Sequence, residues 1–149
     1  MLTKAIVFEK CMQLVHDKIE LLEKVLDELR ESGMNETKST AGDKHETALA
    51  MIQIEQENKR MQLKEAVQQY ERLRKIDISI KSVSVGIGSL VKTNKAWLFI
   101  SQAIGKITVG IETVIAVSPQ SPLGIKLIGL KENDTVEFNG IKYTIKRIE

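Results

Sequence analysis

Aromatic residues make up only 4% of this 149-residue chain: three Phe, two Tyr and one Trp. So few large rings argue against a large compact core. There is a single cysteine, Cys11. That excludes an intramolecular disulfide framework and any zinc site needing two or more thiolates. Neither His16 nor His45 has a second His or a Cys at ligand spacing, which argues against zinc altogether. No apolar run reaches the roughly 18 residues needed to span a bilayer, so no membrane association is expected. Met1–Lys10 lacks the long apolar core and small-residue cleavage site of a secretory leader. The expectation is a soluble, reduced, cytoplasmic protein. Lys and Arg total 22 against 20 Asp and Glu, a net charge of +2. A protein that coats nucleic acid by excess positive charge is thereby excluded. No Gly-rich phosphate loop, nucleophile elbow or Ser/His/Asp set appears, so no small-molecule substrate is expected.

These averages conceal a division. Residues 1–76 contain no proline and two of the nine glycines, Gly33 and Gly42. They carry 13 basic and 14 acidic residues; the remainder carries 9 and 6. Interspersed opposite charges without proline suit long exposed helices. Glycine punctuation among Val, Ile and Thr suits a small sheet. The expected class is α+β, divided into a helical hairpin at 1–76, a linker at 77–88 and a sheet domain at 89–149.

In the first part, Ala5, Phe8, Met12, Val15, Ile19, Leu22, Leu26 and Leu29 recur at steps of three and four. This heptad seam predicts a helix from about residue 3 to about residue 32. Ser32-Gly33 is the expected stop, followed by a polar loop over 33–42. A second helix is expected from Asp43 to about Ile76, with Met51, Ile54 and Met61 giving way to Leu63, Ala66, Tyr70 and Leu73 along its seam. Cys11, next to the first seam, reads as a small buried hydrophobe. His16 sits among charges on an outer face.

The second part reads as strands over 89–93, 96–101, 106–109, 113–117, 135–138 and 141–147. Pro119 and Pro122 mark a loop, and residues 121–129 can form a short helix with Pro122 in its first turn. Asn139-Gly140 between alternating apolar and polar residues is the strongest hairpin signal in the chain.

Chemistry concentrates at the turn between the helices. Asp43 and Glu46 stand three apart at a helix start, so their carboxylates can lie on one side of one turn. Two such carboxylates offer hard oxygen ligands to magnesium, and hold it only weakly unless a partner completes the octahedron. The same pair is also a capping box, and acids favour helix N-termini in any case. The two readings are compatible. Lys44 and His45 alongside suit either a phosphate or plain solvation.

These residues resemble those of a family. Gly42-Asp43-x-x-Glu46-x-Ala48 is similar to the acidic tip motif of the bacterial Gre transcript-cleavage factors. Residues 115–124 (IAVSPQSPLG), then 127–131 (LIGLK) and 134–136 (DTV), resemble the family's Ser-Pro, Leu-Gly-Lys and Gly-Asp-x-Val stretch, and 143–148 (YTIKRI) its last strand. The resemblance covers most of the chain. It implies a coiled-coil hairpin followed by an FKBP-like antiparallel-sheet domain. It implies a factor that enters the secondary channel of RNA polymerase and stimulates cleavage of backtracked RNA, without being an enzyme alone. Asp43 and Glu46 would assist catalysis by holding a magnesium ion shared with the polymerase, near the RNA 3′ end. Ser121 and Pro122 would lie in the loop that grips the channel rim. Two features depart from the family pattern: Met34–Ala41 is an extra polar insertion, and Leu49-Ala50 stands where the family has an aromatic. A channel-binding regulator without cleavage, and a coiled-coil adaptor whose tip acids are only caps, are the alternatives.

Overall fold

A computed structural model describes residues 2–37 and 43–149, with side chains described at 2–36 and 46–149. Two long helices come first, α1 (Lys4–Thr37) and α2 (Asp43–Arg74). Then follow β1 (Leu90–Thr93), β2 (Trp97–Ile100), β3 (Gly105–Val109), β4 (Glu112–Val117), the short helix α3 (Pro122–Leu127), β5 (Thr135–Phe138) and β6 (Ile141–Ile148). The chain groups into two compact units. One is Val15–Tyr70; the other joins Met1–Leu14 to Glu71–Glu149.

Within Val15–Tyr70 the helices form a hairpin. Along α1, Val15 and Leu22 are buried and Ile19, Leu26 and Leu29 half-buried. The next step of four lands on Gly33, which stays helical. A Cβ built there would meet Ile52 Cγ2 of α2 at 3.7 Å. Gly33 is therefore a seam position and not the expected stop. Glycine costs only about 1 kcal/mol inside a helix, too little to end one that has a partner to pack on.

The seam of α2 is also more regular than its apolar residues imply. Ile52, Gln56, Lys59, Leu63, Ala66 and Tyr70 advance by alternating fours and threes, and all are buried or half-buried. The expected members Met51, Ile54 and Met61 are instead 66%, 62% and 56% exposed. Helix geometry decides which positions face inward, and here it places a glutamine and a lysine there. Lys59 pairs with Glu55 at 3.5 Å, one turn away.

In the other unit, the first turns of α1 bury Val7 and Cys11, in steps of four that lead to Val15. Ala5 is exposed, and Phe8 and Met12 are half-buried. A straight helix drifts from a 3.5-residue repeat, so extrapolating the heptad back to Ala5 selects the wrong stripe.

The six strands run β3-β4-β2-β1-β6-β5. Every neighbouring pair is antiparallel except β2 with β4, which is parallel over Trp97–Ile100 and Val114–Val117. Val91, Leu98, Ile100, Val117 and Ile145 form a core with Leu127 of α3. Leu90 and Phe99, paired across β1 and β2, point the other way by strand alternation and are also fully buried. The centre of the sheet is thus covered on both faces. Segment 77–88, expected as a linker, contributes Val85 to the same core. Val85 N–H donates to Leu130 O at 2.8 Å, and Gly129 N–H donates to Val85 O at 2.9 Å. The predicted hairpin is present: Asn139 and Gly140 take φ of 51° and 76° between β5 and β6. That is the positive-φ pair a type I′ turn demands.

Candidate functional site

Asp43 opens α2, and Glu46 lies in the same first turn with its side chain exposed. The side chains of Asp43, Lys44 and His45 lie outside the described residues, as does residue 42. The expected convergence of the two carboxylates therefore falls outside what is described.

The second candidate is a locked turn. Ser121 caps α3 with extended backbone, φ −69° and ψ 159°. Its Oγ accepts from Gly124 N–H at 3.1 Å and donates to Ser118 O at 2.7 Å. Ser121 N–H also donates to Ser118 O at 3.1 Å. Ser118 Oγ accepts from Gln120 N–H at 3.2 Å. Pro122 follows at the first helical position, where its missing N–H costs nothing. Gly124 closes the turn, because a Cβ there would sit 2.0 Å from Ser118 O. Only glycine lets the backbone pass so close. Ser121 is thus occupied internally, whereas Pro122 is exposed, beside Ile125 of α3 at 65% exposure. Any partner surface here is a rigid backbone shape with an apolar fringe, not a free serine hydroxyl.

Ser121 and Pro122 belong to the sheet unit and Glu46 to the helical unit. Among the described residues, one group offers metal-ligating atoms close together: His16, Asp17 and Glu20, within 4.8 Å of one another and all exposed. His16 lies 3.8 Å from each carboxylate, too long for a hydrogen bond. Cys11 is fully buried, and burial pushes its thiol up to about 12. A thiol so protonated is no nucleophile at neutral pH.

The sheet also carries a feature not foreseen. Trp97 on β2 has Lys92 Nζ 5.6 Å from its ring centroid and Arg147 Cζ 5.4 Å from it. The register places Lys92 opposite both Trp97 and Arg147, so one cross-strand row builds the cluster. Lys92 and Trp97 come from successive strands and Arg147 from the last one, and only the register brings it beside them.

No helix among the described residues is long and apolar enough to cross a membrane. A scan against known families finds no match, and neither does a search of curated proteins. Among solved structures, the chain is similar to the transcription factor Gfh1 at 14% identity, over 93% of each chain, with a TM-score of 0.41. A likeness that shallow assigns nothing by itself.

Proposed function

We propose that this chain is a transcription elongation factor. In this reading it binds the secondary channel of bacterial RNA polymerase and stimulates the polymerase's own cleavage of backtracked RNA. One observation carries the reading. The acidic motif opens the second of two long paired helices, and the same chain carries the Ser-Pro stretch as a locked turn on a six-stranded sheet. Both stretches resemble the Gre family, and they fall on elements of the kind that the resemblance implies.

In this role Asp43 and Glu46 hold a magnesium ion together with polymerase carboxylates and RNA phosphate. When bound, the ion supplies Lewis acidity and an activated water. The residues of this chain would contribute oxygen ligands from the first turn of α2. Ser121 keeps the Ser118–Gly124 turn rigid, and Pro122 meets the channel rim.

The test is a polymerase pulldown at low salt combined with a cleavage assay on stalled elongation complexes. Wild type should co-purify with polymerase and shorten backtracked transcripts in magnesium. Asp43→Asn with Glu46→Gln should keep binding and lose cleavage on the order of 10²-fold, the scale of a few kcal/mol of charge stabilisation. Binding with uncut transcripts at saturating wild-type factor would leave a channel regulator without cleavage. Absence of binding would reject the polymerase reading.

A further inference from the structure

A cleft of about 490 Å³ lies in the sheet unit, a volume that suits a small molecule. Its walls come from the end of α2, the segment leading into the sheet, the end of β2 and the β4–α3 connection. Ile76, Ile80, Ile87 and Pro119 make it apolar. Ile80 and Ile87 stand 62% and 64% exposed, so the cleft offers apolar surface to anything that fills it.

Two polar observations give the cleft a preference. The first is Ser101, which lines it and is only 1% exposed. Its backbone N–H donates to Val117 O at 2.8 Å, but its Oγ has no hydrogen-bond partner among the described residues. The neighbouring Gln102 does not serve it, since Gln102 Nε2 donates to the Ser101 carbonyl at 3.1 Å. Buried hydroxyls are nearly always partnered, and this one can donate to an arriving oxygen.

The second is charge. Arg72 and Lys75 line the cleft, and neither has an ion-pair partner among the described residues. Asp77 is the one acid in the lining, and its Oδ1 already accepts from the Ser79 N–H and hydroxyl. Lys4, whose Nζ donates to Ile80 O at 2.9 Å and interacts with Asp77, adds a third cation at the rim, so the cleft is net positive and favours an anion.

We propose that this cleft binds a small monocarboxylic acid with an aliphatic or aromatic body. The body covers Ile80 and Ile87, a carboxylate oxygen accepts from Ser101 Oγ, and Arg72 and Lys75 supply the balancing charge. The acid is a bound ligand and not a substrate. The proposal does not rest on the polymerase reading.

The test is an NMR titration of the isotopically labelled full chain with sodium octanoate below its micellar range, with 1-octanol as the uncharged arm. Octanoate should give saturable shifts concentrated at residues 101–102 and 118–120, and octanol markedly weaker ones. Ser101→Ala should weaken octanoate about fivefold, the scale of one lost hydrogen bond. The same variant, with no ligand, should melt no lower than wild type, because it removes an unpartnered hydroxyl. Arg72→Gln with Lys75→Gln should weaken binding roughly threefold at low salt and less at high salt. The proposal is overturned by octanol binding as well as octanoate, by Ser101→Ala leaving affinity unchanged, or by shifts scattered over the exposed helix faces. No polymerase is present, so failure here leaves the transcription reading where it stands.

Discussion

The two units bury their side chains very differently. In the sheet unit, Val91, Leu98, Phe99, Ile100 and Ile145 are wholly inaccessible. Among the described residues of Val15–Tyr70, only Val15, Leu22 and Ala66 are buried, and large apolar residues such as Met51 and Ile54 face outward. Two helices can cover one stripe of each other and no more, whereas a sheet with cover on both faces closes a core. Stability therefore resides mainly in the sheet unit. The helical unit leaves most of its described side chains exposed, Glu46 in the first turn of its second helix among them.

Four substitutions sharpen or break this contrast. Phe99→Ala should have the largest effect, costing about 3–5 kcal/mol as a large cavity opens in a closed core. Chemical denaturation monitored by Trp97 fluorescence reads it. Gly124→Ala should follow at roughly 1–3 kcal/mol, the range of forced overpacking, because its Cβ collides with Ser118 O. Amide shifts at residues 118–124 would show whether the turn itself gives way. Gly33→Ala should act in the opposite direction, adding roughly 0.5–1 kcal/mol of helix stability, since the new methyl meets Ile52 at an ordinary contact distance. Helical circular dichroism on heating measures it. Ile54→Gln should stay within about 0.5 kcal/mol, as exposed substitutions do. Were it to cost as much as Phe99→Ala, the helical unit would have a closed core after all, and the contrast would fail.

Local features were legible in the amino-acid sequence. Asn139-Gly140 specifies its hairpin because a type I′ turn needs two positive φ angles, and few residue pairs supply them. Pro122 marks the first turn of α3 for an equally local reason. Misreadings arose where local chemistry competes with geometry. Gly33 looked like a stop because its helix cost is visible in sequence and its packing against Ile52 is not. Met51, Ile54 and Met61 are apolar but off the helical period, so their identity points inward where geometry turns them outward. The parallel pairing of β2 with β4 depends on contacts across the sheet, so strand propensities leave it open. The cleft around Ser101 was invisible for the same reason, as its walls come from four separate segments. In the candidate site, Pro119 and Pro122 announce a turn, but the capping task of Ser121 emerges only from its hydrogen bonds to Ser118 and Gly124.

Gln56 and Lys59 carry a consequence for the alignment of the helical pair. A zipper of apolar teeth alone repeats every seven residues and would mesh again after sliding by one heptad. A glutamine and a lysine set into that row are teeth of a different cut. They make one alignment distinguishable from its shifted copies, so the pair is held at a defined reach.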